Sequence, residues 1–102
     1  MAGRLHDLGA YPGVVDPIDP ADIVHGELVE LLDPTASFVW LDAYEGILPG
    51  ALAASEYRRE RRPVWLPGEV PSMATKVPAW VYIYAQGISG APHVTSGIWQ
   101  PA

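Results

Sequence analysis

The chain predicts an α+β fold: a small mixed, mostly antiparallel sheet curled toward a barrel, with one short helix. Three observations carry that expectation. Residues 79–85 are β-branched and aromatic, and residues 57–66 alternate in a way that suits a partner strand. Phe38, Leu41 and Tyr44 recur every three residues, the mark of one helical face. Finally, 11 prolines and 10 glycines are spread through 102 residues without a repeat, which breaks the chain into short elements.

The elements follow in order. Residues 3–8 suit a short strand, with Gly9 and Pro12-Gly13 as turn punctuation and Val14-Val15 as a brief extended piece. Asp16-Pro17-Ile18-Asp19-Pro20 reads as a loop. Residues 23–31 alternate imperfectly and predict a central strand, with Gly26 marking a close backbone approach. Asp33 can cap the free N–H groups of a helix that Pro34 opens, and Gly46 can end it in a left-handed turn. Glu45 then sits where the helix gives way to a loop, a place from which a side chain can project into a cavity. Residues 47–56 are an apolar, Ala-rich connection with a turn at Pro49-Gly50, and they carry no functional signal.

On the strand predicted for 57–66, Tyr57, Arg59 and Arg61 share one face, while Arg58, Glu60, Arg62 and Val64 share the other. Pro63 places its end at an edge or bulge. Residues 67–78, with three prolines and a glycine, predict a hairpin loop. Residues 87–93 are a loop and 94–99 a short terminal segment. Neither an internal repeat nor a domain boundary is visible, so one domain is expected over 1–102.

Composition narrows the function. Apolar residues make up 49% and charged residues 18%, a globular balance. A net charge of −6 argues against a nucleic-acid surface, which would read basic. Four of the six cations are Arg58, Arg59, Arg61 and Arg62, read either as a solvated strand with neighbouring carboxylates or as an anion-attracting rim. The absence of cysteine excludes disulfides and thiolate chemistry and fits a reducing cytoplasm. No apolar run reaches the roughly 20 residues that cross a bilayer, so no membrane role is expected. His6, His25 and His93 are isolated, none with a second ligand at zinc-like spacing, so no metal is expected.

Six short blocks stand in one order. They are Gly9-Ala10-Tyr11-Pro12-Gly13, Val24-His25-Gly26-Glu27-Leu28, Leu41-Asp42-Ala43-Tyr44-Glu45-Gly46, Tyr57-Arg58-Arg59, Ala79-Trp80-Val81-Tyr82 and Ser96-Gly97-Ile98-Trp99. Together they resemble the γ-glutamylcyclotransferase superfamily, of the small AIG2-like type. The resemblance implies release of 5-oxoproline from a γ-glutamyl amine or peptide, with no cofactor. It implies that Glu45 is the catalytic acid/base. It implies substrate-binding roles for Tyr57 as a hydrogen-bond donor and for Tyr11 and Gly13 in the turn beside the pocket, while Arg59, on the same strand face as Tyr57, is placed to meet a substrate carboxylate. Read by themselves, Tyr57 is a strand aromatic, Tyr11 a packing residue and Arg59 a solvated cation. Asp42, about one helical turn before Glu45, reads as a helix-surface acid or local cap, with paired acid/base work as the alternative.

One family signature is absent, the N-terminal strand followed by a Tyr-Gly-Ser/Thr-Leu loop that cradles the γ-glutamyl group. The expectation is therefore an N-terminally shortened domain. Its sheet would keep an open edge, which predicts a homo-oligomer formed by strand addition. A non-catalytic binding or interaction module that keeps the fold is the alternative reading, and a structural subunit using the open edge is a third.

Overall fold

The computed structural model describes residues 1–66 and 76–100. The architecture is α+β: strands β1 (Arg4–Asp7) and β2 (Pro12–Val15), helix α1 (Pro34–Tyr44), a 3-10 turn at Leu52–Ala54, and strands β3 (Tyr57–Trp65) and β4 (Lys76–Tyr84). Both strand pairs are antiparallel, β1 with β2 and β3 with β4, and β2 packs against β4. The sheet expected to curl toward a barrel is thus two two-stranded sheets among the described residues, not a closed hydrogen-bonded ring.

The first hairpin turns one step earlier than the sequence suggests. Leu8 N–H donates to the Tyr11 carbonyl at 3.1 Å, and Gly9 takes the left-handed φ of +108° that the turn needs. Pro12 and Gly13 lie beyond the turn and open β2, where proline at a first strand position is tolerated. Gly13 is buried; a Cβ there would meet Leu8 Cδ1 at 2.8 Å and Tyr84 Cβ at 3.1 Å. Its missing side chain is what lets β2 approach β4.

Helix α1 starts and stops as its sequence predicts. The Asp33 carboxylate accepts from Ala36 N–H at 3.2 Å, and Pro34 fills the first turn. At the other end Gly46 N–H reaches the Ala43 carbonyl at 3.1 Å and Ile47 N–H the Asp42 carbonyl at 2.9 Å, with Gly46 at φ +73°. Those two bonds form a Schellman cap and leave Glu45 as the last residue before the reversal. The face differs from expectation. Ser37, Phe38, Leu41, Asp42 and Glu45 are the half-covered side, whereas Tyr44 is 81% exposed. The helix lays two acids against the protein, and none of its residues is fully buried.

The expected central strand over 23–31 does not form. Ile23 makes one isolated bridge to Ala2, and His25 N–H reaches the Gly97 carbonyl at 2.9 Å. Residues 26–30 are exposed and find no backbone partner among the described residues. The physical reason lies in the pattern: both faces carry charge, so neither can be buried, and a strand without a ladder has nothing to hold it. Around β1, by contrast, the termini close in. Gly3 N–H reaches Asp22, Val24 N–H reaches Met1, Asp7 N–H reaches Pro92 and Val94 N–H reaches Leu5, all at 2.8–3.0 Å. Gly97 is obligatory there, since a Cβ would stand 1.9 Å from the Ile23 carbonyl oxygen and φ is +69°.

The β3–β4 hairpin runs from Tyr57 opposite Tyr84 to Trp65 opposite Lys76, with Pro63 facing Pro78 in register. Both strands are edges of a two-stranded sheet, so neither proline removes a needed ladder bond. The hairpin loop expected over 67–78 falls outside the described residues from 67 to 75, and 76–78 belong to β4. The core is small: Leu5, Tyr57 and Ile83 are its buried apolar side chains among the described residues.

Candidate active site

Glu45 is brought to a cavity of about 380 Å³ lined by Tyr11, Pro12, Val14, Tyr44, Glu45, Glu56, Tyr57 and Tyr82. Three of the elements above converge on it: the β1–β2 turn, the end of α1, and the matched ends of β3 and β4. Its position follows from local geometry. The Schellman cap fixes the backbone of Glu45, whose N–H still donates to Leu41 at 2.9 Å. Burial pushes the Glu45 carboxyl above its ordinary range, and the nearby negative charge of Glu56 pushes it the same way.

Glu56 is the residue the sequence did not single out. Its N–H donates to the Gly46 carbonyl at 3.0 Å, and its carbonyl accepts from Ala85 N–H at 2.9 Å. Ser55, just before it, is buried; its hydroxyl accepts from Leu48 N–H at 2.8 Å and its carbonyl from Gln86 Nε2 at 2.6 Å. The Ala-rich connection thus ends in a tightly held corner that sets a second carboxylate beside the first. The Tyr11 hydroxyl donates to Glu56 Oε1, and this bond, ahead of the charge itself, raises the Tyr11 phenol.

The other expected site residues separate. Tyr57 lines the cavity, buried, with its hydroxyl donating to the Pro12 carbonyl at 2.8 Å and its ring edge-on to Tyr84 at 5.3 Å. Its phenol is pushed far up, first by burial and then by the Glu45 charge, so it stays protonated. Tyr11 is 47% exposed, so it is a rim residue and not core packing. Gly13 does not reach the cavity wall; it spaces β2 from β4.

Arg59 lies elsewhere. Its Nε and Nη2 donate to the two oxygens of Asp42 at 3.0 and 3.4 Å, and its guanidinium stacks over Phe38 at 3.8 Å and Trp80 at 4.7 Å. Tyr82 completes the group, donating to Asp42 Oδ1 at 2.5 Å. A second cavity, of about 440 Å³, opens over this pair and is lined by Pro34, Thr35, Phe38, Val39, Asp42, Arg59 and Trp80. Asp42 is therefore neither a solvated helix acid nor a partner of Glu45; it ties α1 to β3 and β4. On the opposite strand face, Arg58 and Arg62 bond Glu60, and Arg62 meets Asp16 at 2.8 Å. The arginine run is a strand whose neighbours are carboxylates.

The histidines are less isolated than their spacing suggests. His6 and His93 face each other at 5.6 Å, and His93 Nε2 lies 3.9 Å from Asp22. Even so, among the described residues no three His, Asp or Glu side chains are arranged to hold a metal ion. Among the same residues, no helix is long and apolar enough to cross a membrane.

A family model, Gamma-glutamyl cyclotransferase, AIG2-like, matches residues 1–101. The chain belongs to that family. No match was found among curated proteins or solved structures. Membership of the cyclotransferase family and the converging elements give Glu45 its context.

Proposed function

We propose that this cyclotransferase-family chain releases 5-oxoproline from a γ-glutamyl amine or peptide, with Glu45 as the single acid/base. The observation that carries the reading is the state of Glu45: a carboxyl at a capped helix end, facing a cavity, with no cation beside it among the described lining residues and its proton affinity raised by burial.

The chemistry asks for little else. The substrate's α-amine must attack its own γ-carbonyl, closing a five-membered lactam as the bond to the departing amine breaks. An α-amine ordinarily titrates near about 8, so it arrives mostly protonated and must lose a proton first. Glu45 takes that proton and gives it to the leaving nitrogen, then takes the second proton that the attacking nitrogen sheds as it becomes the lactam N–H and passes it to the departed amine, so one carboxyl ends each turnover as it began. Raising its proton affinity helps the first transfer, since a carboxylate at its ordinary value is a weak base for an ammonium. Ring closure is intramolecular, so the remaining task is to fold the γ-glutamyl chain into an attack-ready pose. Tyr57, with its hydroxyl hydrogen committed to Pro12, shapes the wall and offers an oxygen lone pair; Tyr11 covers the rim. Arg59 is held by Asp42 and has no part in this pose. The lack of cysteine fits work in a reducing cytoplasm.

The test is 5-oxoproline release from a panel of γ-glutamyl amines and peptides by wild type and Glu45→Gln. Release by wild type and its loss in the variant, with the fold retained, is the expected result. Full turnover by Glu45→Gln on every active substrate would sink the assignment.

A further inference from the structure

We propose that Glu56, held by the Tyr11 hydroxyl, is a positioning residue of this site: its carboxylate acts on Glu45, not on substrate, and makes Glu45 a stronger base than burial alone would. The inference rests on the reading of Glu45 as the acid/base.

The geometry comes first. Both carboxylates line one cavity. Glu56 is fixed on both sides of its own backbone, by Gly46 and by Ala85. A Cβ on Gly46 would lie 3.1 Å from Glu56 Cβ and 3.3 Å from Oε2, so this side chain packs against the residue that follows Glu45. The other oxygen, Oε1, takes the Tyr11 proton donor. A hydroxyl donating to a carboxylate favours its ionised form. That bond fixes the Glu56 carboxylate in the cavity it shares with Glu45.

Among the described lining residues no cation relieves the pair. The groups facing Glu45 are Tyr44 from α1, Tyr57 from β3, Tyr82 from β4, and Tyr11 and Glu56 themselves. The Tyr82 hydroxyl in turn bonds Asp42, whose carboxylate is paired with Arg59. Two like charges in one partly desolvated cavity oppose joint ionisation. The upward direction at Glu45, with burial first and Glu56 next, agrees with that arrangement.

The effect on the reaction follows with its balance intact. Proton capture from the α-ammonium neutralises Glu45 and relieves the repulsion, so Glu56 favours that step. The amine nitrogen then bonds the γ-carbon, the proton on Glu45 passes to the leaving nitrogen as its bond to that carbon breaks, and Glu45 takes the second proton that the ring nitrogen sheds on becoming the lactam N–H and passes it to the departed amine. Glu56 ends with the charge it had.

The experiment compares wild type, Glu56→Gln, Tyr11→Phe and Glu45→Gln. It follows the Glu45 carboxyl by ¹³C NMR titration and the pH profile of 5-oxoproline release. Glu56→Gln is expected to move the Glu45 titration and the acid limb of kcat/KM to lower pH by on the order of half to one unit, and to lower kcat about 3- to 10-fold with KM little changed. Tyr11→Phe, at a half-exposed rim position that should not disturb folding, frees the Glu56 carboxylate and gives a smaller shift of the same sign. A Glu45 titration that stays at its wild-type position in the variants overturns the proposal. So does a rise in KM with an unmoved pH profile, which would make Glu56 a substrate contact. Because the titration needs no turnover, it judges Glu56 separately from the acid/base assignment, which stands or falls on Glu45→Gln.

Discussion

The two cavities are built from the same helix and the same hairpin, and they differ in charge more than in size. One, of about 440 Å³, contains Asp42 and Arg59, paired through two hydrogen bonds and covered by Phe38 and Trp80. The other, of about 380 Å³, contains Glu45 and Glu56 with no cation among its described lining residues. In the first, each charge has its counter-charge, and the side chains act as a joint between α1 and the β3–β4 sheet. In the second, like charges share a partly dry space, so a proton can be gained or lost at modest cost. An unbalanced carboxyl in a cleft is a better guide to chemistry than cavity volume.

The largest effect should come from substitutions that test this division directly. Glu45→Gln is expected to lower 5-oxoproline release by about 10²-fold or more, the usual scale for a lost acid/base. Arg59→Ala, measured well below its unfolding midpoint, should keep turnover within about a factor of ten of wild type. If Arg59→Ala instead abolished release while its thermal unfolding matched wild type, the joint would be part of the site after all, and the comparison would fail.

The joint should show itself in stability. Asp42→Ala removes the acceptor of Arg59 and of the Tyr82 hydroxyl at once, leaving a half-covered guanidinium and a phenol without partners. A loss of about 2–3 kcal/mol in urea unfolding is expected. Most of that should recur in the double variant with Arg59→Met, whose second change removes the unpaired charge and adds little further loss.

Which of these features could be read from the chain depends on how local their causes are. The helix was legible because Asp33, Pro34 and Gly46 act within a few residues of its ends. The β3–β4 hairpin was legible because its alternation is carried by consecutive residues. Glu45 was visible as a residue at a helix end inside a recognisable block. Glu56 was not, because its setting depends on Gly46 and on Tyr11, the latter 45 positions away. Asp42 and Arg59 were each visible, yet the bond between them was not, since strand and helix faces meet only in the fold. The strand expected over 23–31 failed for a related reason: alternation describes a segment, while a ladder needs a partner that no pattern within the segment supplies.

A smaller effect would sharpen the view of the capped corner. Gly46→Ala puts a side chain at φ +73°, facing Glu56 Cβ at 3.1 Å. Strain of about 1–2 kcal/mol is expected in unfolding experiments. Because the new methyl pushes on Glu56 and not on Arg59, the Glu45 titration should move in this variant while the Asp42–Arg59 pair stays intact, as judged by the salt dependence of stability.

The smallest effect carries a distinctive sign. In the folded chain Glu45 titrates above its ordinary value of 4.5, so ionising it works against the fold. Below that ordinary value, folded and unfolded chains are both protonated and the penalty is absent. As pH rises from there to the raised folded value, the folded chain binds more protons than the unfolded one, and stability falls through that window. Above the window the penalty is complete. Glu45→Gln, which cannot ionise, should therefore be slightly more stable than wild type at neutral pH, by less than the Asp42→Ala loss. That advantage should fade as pH is lowered through the window and vanish below it. Thermal unfolding of the two proteins from pH 4 to pH 8 measures this. A constant difference across that range would mean that the change acts through packing alone. A variant less stable than wild type at neutral pH would mean that Glu45 has a stabilising partner, and the contrast between the two cavities would lose its basis.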